Sequence, residues 1–175
     1  MSPTPPWVRV ITWAGARAGG PVSLAADTAT RARVATFLDL ETVVSLLFEA
    51  RPAPWMDGAQ VMGRLNARVI RRCGITLEPF EEAIDESVEV RFVPPGSASV
   101  PAPSGEEIID IEADDPPEVA GVDGIDLGAL AVETLALALA PFPRAPGAVY
   151  EPPEAPSFGG AFAILGKLRG PAGEA

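Results

Sequence analysis

The sequence predicts an α+β fold: a curved antiparallel sheet built as a hairpin meander, a buried helix packed on it, and a short C-terminal helix. Three observations carry this. Apolar and polar residues alternate through 61–73 and again through 84–92, which is the period of half-buried strands. Residues 126–139 place Leu127, Leu130, Ala131, Leu135 and Ala138 on one helical stripe, with Glu133 as the one charged side chain inside the run. Prolines and glycines, 20 and 17 of them, are many, and they cluster.

Taken in order, residues 7–13 and 22–26 read as two short strands around the Gly19-Gly20-Pro21 turn. Asp27 or Thr28 is placed to cap a helix running to about Leu38, with Ala32, Val34, Ala35 and Phe37 inside it. Residues 42–53 are β-rich through Val43, Val44, Leu46, Leu47 and Phe48. Asp57-Gly58 then supplies a hairpin turn into a strand over 59–73, and a third strand over 83–93 completes the meander. Residues 94–123 hold six prolines and seven carboxylates in the run 106–118, without one basic residue, and read as a mobile acidic linker in which Ile108, Ile109 and Ile111 add at most a local strand. Asp126 is a good N-cap for the central helix, and Pro141 and Pro143 stop it. A Pro-rich stretch over 143–157 leads to 158–169, where Phe162, Leu165 and Leu168 recur at helical spacing beside Lys167 and Arg169.

Charge suggests how the last two strands meet. Val61, Leu65, Ala67, Val69 and Cys73 share one face, and Ile84, Val88, Val90 and Phe92 share another. Setting Cys73 opposite Ile84, Val69 opposite Val88, Ala67 opposite Val90 and Leu65 opposite Phe92 also sets Arg72 against Asp85 and Arg68 against Glu89. Arg64, Arg68, Arg71 and Arg72 otherwise resemble a phosphate-binding stripe, but facing acids would neutralise Arg68 and Arg72.

A length of 175 residues with 47% apolar composition suits one domain with a real core. The core is expected over about 7–93 and 124–142. A single cysteine excludes an internal disulfide and suits a reducing compartment. The first residues show no basic segment leading into an apolar one, and the longest apolar run, 127–142, is short and carries Glu133, so a cytoplasmic location is expected. The net charge of −11 is polar in its placement. Residues 1–75 hold nine Arg against five acids, and residues 76–175 hold four basic against 19 acidic residues. The N-terminal part is thus able to meet RNA, and the C-terminal part a basic protein.

Catalytic chemistry finds little support. With no histidine there is no His-based triad or metal site. Cys73 has no His or Cys partner and reads as a buried strand-end thiol, although Arg72 beside it offers a route to activation. Gly19-Gly20 and Gly159-Gly160 lack the context of a phosphate loop. Glu81-Glu82 and the linker acids lack the spacing of a calcium loop or a defined acid/base pair. No cofactor, metal or small-molecule substrate is expected.

Residues 73–80, CGITLEPF, resemble the signature turn of the YceD family, in which many members carry C-x-x-C followed by Leu-Glu-Pro-Phe. Cys73 matches the first cysteine, Thr76 stands where the second would be, and Leu77, Glu78, Pro79 and Phe80 match in full. The missing second cysteine argues against a metal or redox role for this turn. Residues 124–127, GIDL, and the following run through Glu133 to Leu139-Ala140-Pro141 resemble a second motif, carried by Asp126, Leu127 and Glu133. Residues 162–168, FAILGKL, resemble the terminal motif, with Ala161 in place of its proline; Phe162, Leu165 and Lys167 carry it, with Arg169 just beyond. The single-cysteine turn and residues 143–147, PRAPG, look most like the alphaproteobacterial branch. The resemblance implies one YceD-like domain over 1–175 and a non-enzymatic bacterial factor in large-subunit biogenesis, affecting synthesis, processing or stability of 23S rRNA. The partners it implies are pre-rRNA or large-subunit ribosomal proteins, met through Arg64, Arg71, Glu78, Phe80 and the 167–169 end. The alternative is an acidic adaptor that binds a basic client without touching RNA.

Overall fold

The computed structural model describes residues 5–100 and 115–151. The expected C-terminal helix over 158–169, the isoleucines at 108, 109 and 111, and the contacts assigned to Phe162, Leu165, Lys167 and Arg169 lie outside the described residues.

Three long strands dominate. β3 (Thr42–Trp55), β4 (Gly58–Arg72) and β5 (Pro79–Val93) form the expected antiparallel meander. β2 (Val22–Ala25) pairs antiparallel with β3, and β6 (Glu118–Val119) pairs parallel with β5, giving a five-stranded sheet of order β2-β3-β4-β5-β6. A second, two-stranded sheet joins β1 (Val10–Thr12) to β7 (Gly124–Asp126). Three helices complete the fold: α1 (Trp13–Ala18), α2 (Thr28–Phe37) and α3 (Leu127–Ala138). The architecture is the predicted α+β class, with a mostly antiparallel sheet.

The core lies between the sheet and the elements of the two chain halves that cover it. Phe48 from β3, Val61, Leu65 and Val69 from β4, and Leu127 and Leu135 from α3 are all fully buried, with Trp7 and Val34 beside them. β3 does not bury alternate residues along its whole length. An irregularity between Val43 and Ser45 moves the buried set from Val43 to Leu46, Phe48 and Ala50, switching parity within one strand.

α3 packs on β5, β4 and β1 as anticipated. Asp126 caps it, its Oδ1 accepting from the N–H of Gly128 (3.0 Å) and Ala129 (3.1 Å). The same oxygen accepts from Arg9 N at 2.8 Å, and Leu127 N donates to Arg9 O at 3.0 Å, so the N-terminal segment is stitched to the first turn of α3. Asp27 caps α2 through Thr30 N at 2.8 Å.

Four sequence expectations are corrected. The strand expected over 7–13 is only three residues, because Thr12 caps α1 through Gly15 N and the chain turns helical at Trp13. The β3–β4 turn is Met56-Asp57, with Met56 at φ 47°, and Gly58 is already in β4. A Cβ on Gly58 would lie 1.9 Å from Phe92 O, so this glycine serves close strand approach rather than the turn. The segment read as linker contributes β6, whose residues 118 and 119 pair with Phe92 and Val93. Finally, the β4–β5 register differs by six residues along β4: Phe92 faces Ala59 rather than Leu65, and Ile84 faces Ala67 rather than Cys73. An even slip leaves every side chain on its own face, so alternation cannot distinguish the two registers. The loop decides. It closes in six residues, 73–78, with Leu77 N donating to Cys73 O, Cys73 N donating to Glu78 O, and Leu77 in the left-handed region at φ 60°.

Candidate functional site

The arginine stripe of β4 was the first candidate, and its cations are paired throughout. Arg64 Nη2 meets Asp85 Oδ2 at 2.5 Å, Arg68 meets Glu81, Arg71 Nη1 meets Glu82 Oε2 at 2.9 Å, and Arg72 Nη2 meets Glu41 Oε1 at 2.5 Å. The partners are not the directly opposed residues. Arg64 faces Ser87 and Arg68 faces Ala83, so each reaches an acid two positions along β5, a diagonal contact within reach of long side chains. The expected Arg72–Asp85 and Arg68–Glu89 pairs therefore do not form. The Arg64 fork also shifts both titrations: hydrogen bonding to Asp85, then its charge, raises the Arg64 pKa, and hydrogen bonding from Arg64 lowers that of Asp85. Each of the four arginines is thus already matched by a carboxylate.

A second set of residues meets at the 73–78 turn. After α3 the chain passes back over the turn, and Gly74 N donates to Pro143 O at 2.8 Å. Ala145 N points at Cys73 Sγ, 3.4 Å away, and Arg71 Nη2 donates to Ala140 O at 2.6 Å. The signature turn and the end of the α3 motif, about 70 positions apart in sequence, thus form one locus. Arg71 is its internal strut, with a side chain only 10% exposed, bonded to Glu82 on one side and the end of α3 on the other. A cavity of about 780 Å³ opens beside it, lined by residues of the α2–β3 loop, Arg71, Arg72 and the end of α3.

Cys73 is fully buried, as expected of a strand-end thiol. Its sulfur is surrounded by donors: the Thr76 side chain and N–H, Ala145 N and Ile75 N. Together, in that order and against the opposing effect of burial, these lower the thiol pKa to about 6. Arg72, offered above as a route to activation, has its guanidinium turned to Glu41 and to Leu77 O. Thr76 thus holds the sulfur by hydrogen bonds from its side chain and its N–H. Among the described residues no group of three or more His, Cys, Asp or Glu side chains converges on a point that could hold a metal.

The remaining motif residues divide. Leu77 and Glu78 are exposed, Pro79 pairs with Arg72 at the start of β5, and Phe80 is half-buried opposite Arg71. Asp126 and Leu127 are structural, as cap and core. Glu133 is exposed on α3 near Glu118, whose pKa is raised by burial first and by the Glu133 charge second. Sequence reasoning missed the docking of 143–145 on the turn.

A family model described as large ribosomal RNA subunit accumulation protein YceD matches residues 61–161, more than half of the chain. The chain belongs to the YceD family. No curated protein and no solved structure matches it. The YceD match begins in β4 and runs through β5, β6, β7 and α3, so it takes in the hairpin, the signature turn and the docked segment after α3. β1, α1, β2, α2 and β3 precede it. Membership supports a role in ribosome biogenesis through the large-subunit rRNA, since the family is described as an accumulation protein. Among the described residues no helix is long and apolar enough to cross a membrane.

Proposed function

We propose that this YceD chain is a non-enzymatic, cytoplasmic ribosome-biogenesis factor needed for accumulation of 23S rRNA, working by contact with pre-rRNA or a large-subunit ribosomal protein. The observation that carries the reading is the family match, which covers the two motifs that meet at Cys73, Gly74 and Pro143. That locus presents exposed Leu77 and Glu78 beside the half-buried Phe80, over a support fixed by Arg71. In this reading the locus is a recognition surface, and Cys73 and Arg71 hold its shape.

Depletion of the protein in its native bacterium tests this. The ratio of 23S to 16S rRNA and the 50S peak on a sucrose gradient should fall, and wild-type protein should restore both. An unchanged ratio under full depletion refutes the proposal. An adaptor for a basic client is the second reading, favoured by one observation: the four β4 arginines are paired, while Glu78 and Glu86 nearby stay exposed and outside ion pairs among the described residues. Pull-down with and without RNase separates the two. RNA-mediated contacts vanish with RNase and weaken steeply with salt, whereas a direct protein client is retained.

A further inference from the structure

Ahead of the family-matched region lie arginines that no carboxylate pairs among the described residues. Residues 5–40 carry Arg9, Arg17, Arg31 and Arg33 against Asp27 and Asp39, a local excess of positive charge in a chain of net charge −11. Arg9, Arg31 and Arg33 make no ion pair among the described residues; their guanidinium groups bond to neutral oxygens instead. Arg9 Nη1 donates to Val8 O, Arg31 to Ala26 O and Thr28 Oγ1, and Arg33 to Pro6 O and Thr30 Oγ1. Among the described residues each fork keeps further N–H donors unused. The carboxylates near them are occupied: Asp126 caps α3, and Asp27 caps α2, its pKa lowered by Thr30 first and by the Arg33 and Arg9 charges after.

Arg9 and Arg33 line an open groove of about 820 Å³ between the 5–9 segment and α2. Its other walls are mostly apolar, with Pro5, Pro6 and Phe37 among them. Phe37 is 46% exposed and follows Arg33 by four residues, so one face of α2 offers a guanidinium and an aromatic ring side by side. Unpaired forks beside an accessible ring and proline faces are the elements that hold a phosphodiester and stack a base.

We propose that this groove binds single-stranded RNA, with Arg9 and Arg33 on phosphates and Phe37 under a base. The proposal rests on the reading that the protein serves large-subunit rRNA, and it moves the RNA contact from Arg64 and Arg71 to the N-terminal layer. Two or three phosphate contacts on a single strand give a log–log salt slope of about −1.4 to −2.1, so affinity should fall roughly 7- to 20-fold between 50 and 200 mM salt.

The test is fluorescence anisotropy of a fluorescein-labelled, mixed-sequence, 20-nucleotide RNA with the full chain. Variants are Arg33→Glu, Phe37→Ala and the control Arg64→Gln, each checked by thermal melting and size-exclusion chromatography. Wild type should bind with the stated slope. Arg33→Glu should lose at least about tenfold and flatten the slope by about 0.7. Phe37→Ala, at an exposed position that leaves the fold intact, should lose about 5- to 150-fold, and Arg64→Gln should bind as wild type. Absence of wild-type binding at 50 mM salt overturns the proposal, as does loss on Arg64→Gln with binding kept in Phe37→Ala. A wild-type dimer that Phe37→Ala makes monomeric also overturns it, assigning the groove to a second copy. Failure here with 23S rRNA still dependent on the protein leaves the functional reading intact. RNA binding without that dependence removes the functional reading alone.

Discussion

Gly128→Ala sets local propensity against tertiary packing. Gly128 is the second residue of α3, where alanine is favoured over glycine by about 1 kcal/mol in a helix interior. Read from the helix alone, the substitution stabilises. The packing opposes this. A Cβ at 128 would lie 2.7 Å from Trp7 O and 3.0 Å from Arg9 N, both backbone atoms that cannot swing aside. Relief requires the 6–9 segment to lift from α3, loosening the bonds from Arg9 N to Asp126 and from Leu127 N to Arg9 O. Overpacking costs about 1–3 kcal/mol and each weakened bond about 0.5–1.5 kcal/mol. After the helical gain, a net loss of about 1–5 kcal/mol is expected, a drop in Tm of about 2–20 °C for a chain of this size. Thermal unfolding by circular dichroism at fixed pH reads it directly. A Tm equal to or above wild type would refute the contact of Trp7 and Arg9 with the first turn of α3, and with it the floor of the groove they line.

Leu135→Ala, at a fully buried position of α3, should cost about 2–5 kcal/mol in chemical denaturation; a loss below 1 kcal/mol would mean that α3 does not pack on the sheet. Asp85→Ala should cost no more than about 1 kcal/mol because its pair with Arg64 is more than half exposed on both sides, and the loss should shrink in high salt. Glu82→Ala should cost more, about 1–3 kcal/mol, because it leaves the largely buried Arg71 without its carboxylate; equal losses for the two variants would remove the distinction. Cys73 titrates near 6 when folded and near 9 in its ordinary state, so the fold prefers the thiolate. Its contribution is present above about pH 9 and is lost as pH falls toward 6, so stability relative to Cys73→Ala should rise from pH 6 to pH 9. A difference that stays flat over that window would contradict the donor cage around Sγ.

Local sequence already specifies the buried faces of β4 and β5, the caps of α2 and α3, and the three long strands of the meander. These follow from short-range rules: alternation through Val61, Leu65, Ala67 and Val69, the Leu127–Leu135 stripe, and Asp27 and Asp126 as caps. The same rules are blind to an even slip, so the β4–β5 register was decided by the six-residue loop and by the left-handed conformation of Leu77. They are also blind to where two distant motifs touch. The signature turn was legible as a motif, yet the contacts of Pro143 and Ala145 with Gly74 and Cys73 exist only once α3 has packed across the sheet. Charge shows the limit most clearly. Composition makes β4 the cationic strand, but whether a cation is available to a ligand depends on which acids lie within a few ångströms. Tertiary structure spends Arg64, Arg68, Arg71 and Arg72 on Asp85, Glu81, Glu82 and Glu41, and leaves Arg9, Arg31 and Arg33 with neutral oxygens. Net charge is additive along a chain, whereas ion pairing falls off within a few ångströms, and only the fold sets those distances.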